Sequence, residues 1–287
     1  MTALTTSSVV LAGALLVVVL APRLLATRAW QVRWPTLALG AWTAAFVLGA
    51  ALAASGLAVL VAEVLSGPGP DDGLGVGIVT TLGAWGGLGI VGAALLVTTR
   101  HADDLARATA GDRRAVRRAL RADALDSGMR DGVLLVRTRG SDLGACASPG
   151  DVPLVAWSVR TEEVLGVAGL RAVLAHELAH LRRRHHALLW LAELNARCVP
   201  AWLRAGRAPL AAARLLVELA ADDVAARETG DAPLVAALRT LGGLTGDASL
   251  GMRAYRVESR KRRARRPRPE RDAGRDAQRA IDIAIRR

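Results

Sequence analysis

Three long segments without a charged side chain constrain this chain more than any other feature of its sequence. They are residues 2–22, 34–62 and 73–99. A helix needs about 20 apolar residues to cross a bilayer, and a helix in a soluble core seldom runs uncharged for so long. The sequence therefore predicts a transmembrane region over 1–99, made of helices at about 3–22, 36–62 and 74–99. The first of these could instead be a signal peptide, but it lacks a basic start and an evident cleavage site.

The loops between these segments differ in charge. The first loop contains three arginines and no acidic residue, whereas the second contains acidic residues and no basic one. Six arginines follow the third segment: Arg100, Arg107, Arg113, Arg114, Arg117 and Arg118. Because positively charged loops stay in the cytoplasm, we expect a multi-pass protein of the cell membrane. Its N-terminus should lie outside, and everything after residue 99 should be cytoplasmic.

An H-E-x-x-H run occupies residues 176–180, inside a predicted helix over 161–184 that Thr161 can cap. At 3.6 residues per turn, His176 and His180 lie on one face of that helix. This spacing lets two imidazoles hold one zinc ion while Glu177 reaches its bound water. The alternative is a solvated polar face that happens to carry two histidines, and the apolar residues around the run argue against it. We therefore expect His176 and His180 as metal ligands and Glu177 as the catalytic base.

A catalytic zinc usually has three protein ligands, so a third is expected. His101 lies far upstream, and His185 and His186 lie at the end of the same predicted helix, too far along its axis. Glu218 and Asp222 are four residues apart and share a face of the next predicted helix. We expect Glu218 to ligate zinc and Asp222 to accept the N–H of a ligating histidine. The alternative is that both acidic side chains are simply solvated.

The two motifs, H-E-L-A-H and E-L-A-A-D, together resemble the gluzincin pattern of the BlaR/MecR-type membrane metallopeptidases and their HtpX-like relatives. The resemblance covers roughly residues 100–230, and the stretch 151–187 is more similar to the former group. It implies one zinc ion on His176, His180 and Glu218, with Glu177 as the catalytic base. Antibiotic-sensing members also have a penicillin-binding domain. Because this chain contains no S-x-x-K motif, we do not expect it to sense β-lactams directly.

The expected fold is mainly α. A three-helix transmembrane region precedes a mostly helical, gluzincin-type zinc peptidase domain over 100–250, with a small β-hairpin or sheet. Two short strands are predicted at 133–137 and 152–157. The apolar segment 187–203 resembles a fourth span, but crossing the bilayer would place Glu218 on the opposite side from His176. We therefore expect an interfacial or core helix there.

A basic tail ends the sequence, and we expect residues 251–287 to be disordered. Thirteen basic and five acidic residues lie in 256–287, so this stretch carries +8 of the net charge of +12. No aromatic residues accompany the basic run in a way suited to base stacking, so nucleic acid is an improbable partner. Attraction of Arg256–Arg287 to anionic lipids of the cytoplasmic leaflet is a simpler explanation of this basic run than nucleic-acid binding. A solvated tail without a partner is the alternative.

These features predict an integral membrane zinc endopeptidase that cleaves a protein or peptide substrate at the cytoplasmic face. The resemblance favours regulatory proteolysis of a transcriptional repressor. A quality-control protease and a catalytically silent signalling scaffold are the alternatives. The sequence does not rank Tyr255, His185 and Arg227 as candidates for stabilising the oxyanion.

Overall fold

A computed structural model describes residues 9–10, 12–13, 30–66, 74–199 and 207–265. Within these ranges the chain is mainly helical and contains one small sheet. Its elements, in chain order, are α1 (Trp30–Arg33), α2 (Pro35–Ser66), α3 (Leu74–Ala122), β1 (Ala124–Arg130), β2 (Val133–Thr138), β3 (Ala145–Ser148), β4 (Leu154–Ser158), α4 (Val159–Arg182), α5 (His185–Cys198), α6 (Arg207–Thr229), α7 (Asp231–Thr245) and α8 (Ala248–Arg265). The first predicted membrane helix, 3–22, lies outside the described residues except for four of them.

Three of the described helices, α2, α3 and α4, are long and apolar enough to cross a membrane. The first two occupy the predicted spans 36–62 and 74–99. Their apolar side chains are mostly uncovered by protein, and 0% of the apolar window of α3 is buried. So large an uncovered apolar surface is typical of a lipid-facing helix.

Helix α4 differs from the other two because protein surrounds it. It packs against α6, α7 and strand β3. Charged residues also occur along it, including Arg160, Glu163 and Arg171. Although its length and composition would allow it to cross a bilayer, these contacts place it inside the domain that follows α3.

Helix α3 does not end where its uncharged segment ends at residue 99. It continues without interruption to Ala122, so one helix of 49 residues joins the apolar span to the sheet. Helix α5 packs beside it, and Cys198 Sγ lies 3.8 Å from Thr98 Oγ1. The 14 residues of α5 extend about 21 Å, less than the roughly 30 Å core of a bilayer. This helix, which covers most of the segment 187–203, is therefore too short to be a span.

The sheet has the strand order β1-β2-β4-β3. Strands β1 and β2 form a hairpin around Asp131 and Gly132, whose φ angles of 50° and 76° suit the Asp-Gly turn that joins them. Strand β2 then pairs in parallel with β4, and β3 pairs antiparallel with the other side of β4. The sequence predicted β2 and β4. It missed β1, whose side chains are mostly exposed, and β3, which has only four residues.

The start of α4 is fixed by two hydroxyl groups. Ser158 is the N-cap, and its Oγ accepts from the backbone N–H of Thr161. Thr161, which the sequence suggested as the cap, instead lies inside the first turn. Its Oγ1 donates to the carbonyl of Gly144 and accepts from the same residue's N–H. Because Gly144 directly precedes β3, this contact ties β3 to the helix that carries the H-E-x-x-H run.

The domain core lies among four helices. Small and branched side chains of α4, α6, α7 and α8 form its main cluster: Ala172, Ala175, Ala225, Ala226, Leu234, Val235, Leu238, Ala254 and Val257. A second cluster joins α2 to α6, where Ala38 and Leu39 contact Leu216, Val217 and Ala220. Burial of these clusters brings α4 and α6 side by side, and it places the first turns of α2 directly against α6.

Residues 251–265, assigned from the sequence to a disordered tail, are instead helical and form most of α8. Arg256 and Arg260, expected among the lipid-binding residues, turn into the protein. Both donate to Asp223, a carboxylate whose side chain is 11% exposed. Arg256 Nε also donates to the carbonyl of Val32, beside the start of α2. A buried carboxylate needs such partners, and this need outweighs the tendency of a basic run to stay solvated. Residues 266–287 lie outside the described residues.

A glycine in α4 provides a test of this arrangement. Gly166 interrupts the helix with φ 61° and ψ −178°, a conformation essentially restricted to glycine. We expect Gly166→Ala to lower the stability of the detergent-solubilised protein by about 1–3 kcal/mol, measured as a lower unfolding temperature. Gly111→Ala, in α3 with open space around it, is the control. If Gly166→Ala unfolds at the temperature of that control, the kink in α4 is wrong.

Candidate metal centre

Five of the residues predicted from the motifs converge between α4 and α6. His176, Glu177 and His180 come from α4, and Glu218 and Asp222 come from α6. Ligand atoms of His176, His180 and Glu218 all lie within 4.8 Å of one another, and this group could hold a metal ion. The limits of α6 also agree with the sequence, since Pro209 lies in its first turn and Gly230 follows its end.

The distances within this group fit a tetrahedral metal site. The Nε2 atoms of His176 and His180 lie 3.0 Å apart. Glu218 places Oε2 3.3 Å from the first of them and Oε1 3.5 Å from the second. Two ligands bonded at about 2.0–2.2 Å in a tetrahedron are separated by roughly 3.4 Å. The three donor groups therefore already have the spacing that a four-coordinate ion requires.

Asp222 lies behind the first histidine rather than beside the ligand atoms. Its Oδ1 lies 3.0 Å from His176 Nδ1, the ring nitrogen that points away from Glu218. This is the contact expected of a carboxylate that fixes the tautomer and orientation of a metal-binding imidazole. Asp222 is fully buried, so its negative charge must be compensated within the protein.

Arg253 provides that compensation, and the sequence analysis did not identify it. Its Nε and Nη2 donate to the two carboxylate oxygens of Asp222 at 2.8 and 2.7 Å. Its Nη1 lies 2.9 Å from Glu218 Oε2. One guanidinium in α8 thus holds the predicted ligand and its neighbour one turn away. A signal was present, because Leu250, Ala254 and Val257 have the spacing of a helix face, but residues 251–287 were assigned to a tail.

Glu177 is partly buried beside this group. The backbone N–H of Ala147 in β3 donates to its carboxylate. Burial raises the pKa of Glu177 to about 7, and the neighbouring charge of Glu218 also raises it, whereas His176 lowers it. A carboxyl group with a pKa near 7 can exchange protons at neutral pH, as general acid–base chemistry requires.

The two predicted histidine ligands differ in their environment. Burial opposes protonation of His176, but its hydrogen bonds to Asp222 and Glu218 outweigh burial and raise its pKa to about 9. Burial and the charge of His176 lower the pKa of His180 to about 4. The pKa of Asp222 falls to about 2 because hydrogen bonds from Arg253 and His176 overcome the opposing effect of burial. Since a metal binds neutral imidazole, loading this site releases the proton from His176.

In the described part of the chain, none of the three residues considered for oxyanion stabilisation forms a hydrogen bond or ion pair with the ligand atoms His176 Nε2, His180 Nε2 or the Glu218 carboxylate. Tyr255 is 70% exposed and Arg227 is also exposed. His185 is buried, but its Nδ1 contacts His180 Nδ1, on the side of that ring away from Glu218. The prediction that His185 lies at the end of the same helix is wrong, because α4 ends at Arg182 and a turn separates it from α5.

Comparison of the chain with protein-family models, with curated proteins and with solved structures finds no match. Any function assigned to this site therefore rests on the site's own geometry.

Substitutions at three acidic residues of α6 distinguish an effect on metal affinity from an effect on folding stability. We expect Glu218→Ala to release the metal, because only two ligands remain. Asp222→Ala should weaken metal binding about 10- to 100-fold. Asp223→Ala should leave metal affinity unchanged but lower the unfolding temperature, because Asp223 pairs with Arg256 and Arg260 away from the site. Competition with a chelator and thermal unfolding measure the two effects. Full metal retention by Glu218→Ala would exclude it as a ligand.

Proposed function

We propose that this chain is a membrane-anchored, zinc-dependent endopeptidase. The observation that carries the proposal is the tetrahedral spacing of His176, His180 and Glu218, with the protonatable Glu177 at their side. Two imidazoles and one carboxylate are the ligands of a common class of catalytic zinc sites, in which the fourth position takes water or substrate. The donor set and its distances therefore fit zinc.

The chemistry follows from the placement of Glu177. A zinc ion held by His176, His180 and Glu218 would polarise the carbonyl of the scissile bond and lower the pKa of a bound water molecule to about 7. Glu177 would accept the proton of that water as its oxygen adds to the carbonyl carbon, and would deliver the proton to the amine nitrogen as the C–N bond breaks. The backbone N–H of Ala147 in β3 favours the charged form of the Glu177 carboxylate.

Strand β3 favours an extended peptide as the substrate. It is an edge strand among the described residues, since only β4 pairs with it. Because Ala147 in this strand reaches Glu177, a peptide added alongside β3 would pass close to the base. Addition of a strand to a free sheet edge is a common way to bind extended peptides. A sheet edge binds the peptide backbone, so it would select an extended peptide without selecting a particular amino-acid sequence.

Arg253 has a positioning role in this proposal. The N–H edges of its guanidinium meet the carboxylates of Glu218 and Asp222, and Nη2 lies 3.4 Å from His176 Nε2, so Arg253 orients the side chains that would hold the metal. It also neutralises one of the two acidic charges packed against the histidines. A charged ligand set can then be assembled in a largely buried location without leaving the carboxylates uncompensated.

The proposed biological role is cleavage of a cytoplasmic repressor, as the resemblance of the two motifs suggests. The scaffold alternative is disfavoured by Glu177, since a scaffold has no use for a buried, proton-exchanging carboxyl group next to three metal-binding side chains. A quality-control protease would use the same chemistry. The two proteolytic roles differ in the substrates that accumulate when Glu177 is neutralised.

The base is tested by Glu177→Gln, which keeps the size of the side chain and removes its proton exchange. We expect zinc to remain at about one per chain, while cleavage falls by at least about 100-fold. The matched control is Glu163→Gln, an exposed glutamate on the same helix. Zinc is measured by elemental analysis, and cleavage by comparing peptides in membranes that contain each variant. Cleavage by Glu177→Gln at the wild-type rate would exclude the proposed mechanism.

The orientation is tested with single cysteines, after Cys146 and Cys198 are replaced by serine. We propose that the loop between α2 and α3 lies outside and that the domain after α3 is cytoplasmic, because the arginines cluster on that side. A cysteine at Asp71 should then react with a membrane-impermeant thiol reagent in intact cells. A cysteine at the exposed Asp247 should react only after the membrane is opened. The reverse pattern would contradict the assignment.

A further inference from the structure

We propose that His185 is a positioning residue of the metal centre, which accepts a hydrogen bond from Nδ1–H of His180 and so fixes the ring of that ligand. The proposal rests on the function proposed above, because it assumes that His180 binds metal through Nε2. It adds a residue that neither motif contains.

The two ring nitrogens of His180 make different contacts. Its Nε2 faces the ligand atoms of His176 and Glu218. Its Nδ1 lies 3.1 Å from Nδ1 of His185, within hydrogen-bond distance. The two rings are nearly perpendicular, at 87°, and their centroids are 4.9 Å apart. The lone pair of an imidazole nitrogen lies in the plane of its ring, so the short distance between the two Nδ1 atoms carries the argument for an N–H···N hydrogen bond, and the perpendicular rings are compatible with it.

Metal binding determines which nitrogen carries the proton. A neutral imidazole has one N–H, so if the Nε2 lone pair of His180 binds metal, the proton lies on Nδ1. Within the described part of the chain, His185 Nδ1 is the one hydrogen-bond partner of that atom. His185 must therefore accept with Nδ1 and carry its own proton on Nε2. His176 receives the equivalent support from Asp222, so each ligand histidine has its own partner.

The backbone is strained where it brings His185 to this position. Arg184 separates α4 from α5 and adopts the left-handed conformation, with φ 51° and ψ 39°. That conformation costs a residue other than glycine about 1 kcal/mol. It turns the chain within two residues, so that His185 returns to the last turn of α4 and is 2% exposed. The next residue, His186, is exposed. The strained turn is thus used to bury one particular imidazole against a predicted ligand.

Variants at this position separate a hydrogen bond from simple packing. We expect His185→Leu, which fills the space without an acceptor, to weaken zinc binding about 10- to 100-fold. His185→Asn should stay close to wild type, because its Oδ1 can occupy the position of the Nδ1 acceptor. His186→Leu is the matched control and should bind zinc as the wild type does. All variants are compared in the Glu177→Gln background, which binds metal without cleaving protein.

The measurements are zinc affinity by chelator competition, the visible absorption of the Co²⁺-loaded protein, and thermal unfolding of each metal-free variant. Loss of zinc affinity in His185→Leu, with altered Co²⁺ bands and restoration by His185→Asn, supports the proposal. Wild-type affinity in His185→Leu overturns it. Equal weakening in the Leu and Asn variants also overturns it, because a restored acceptor would then make no difference to metal binding.

A second comparison covers the case in which His185→Leu does not fold. His185→Gln places its oxygen near the position of Nε2 and not of Nδ1, so we expect it to bind zinc more weakly than His185→Asn. Equal affinities of these two variants overturn the inference. A wild-type chain that holds no metal overturns the proposed function and this inference with it. Metal binding that depends on Glu218 but not on His185 overturns the inference alone.

Discussion

The buried carboxylate of Asp222 determines how the helices of the domain can pack. It has no exposure to solvent, so its charge must be met by partners from other elements. His176 supplies one from α4, and Arg253 supplies two donors from α8. These contacts fix the positions of α4, α6 and α8 relative to one another. Glu218 lies one turn away on α6, and the fixed position of that helix directs its carboxylate toward the two histidines.

A second acidic residue has a structural role at the next position of the same helix. Asp223 points away from the histidines and binds Arg256 and Arg260 of α8. The two adjacent aspartates thus divide three arginines of α8 between them: Arg253 supports the site, and Arg256 and Arg260 anchor the helix. This division explains why α8 is ordered although its sequence is strongly basic. Three arginines on one face of a helix are stabilised when two buried carboxylates face them.

Much of the site could be predicted because its signals are local. The spacing of His176 and His180, and that of Glu218 and Asp222, follow from the pitch of an α-helix. What could not be predicted depends on contacts between distant parts of the chain. Arg253 meets Asp222 across 31 residues. His185 returns to the site only because Arg184 adopts a conformation that no sequence pattern of an arginine indicates. The short strand β3 carries too few residues for a periodicity to appear.

The small side chains between α2 and α6 have a consequence for α2 itself, a helix long and apolar enough to cross a membrane. Ala38 of α2 is fully buried against α6, where Ala220 is also fully buried, and Leu216 and Val217 flank Glu218. Protein interiors are packed as densely as organic crystals, so an added methyl group must displace something. A larger residue at position 38 would push on the helix that carries Glu218. Hydrophobicity alone is therefore not enough to make α2 interchangeable with another apolar helix: the small side chains of its first turns fit against α6, and larger ones would not.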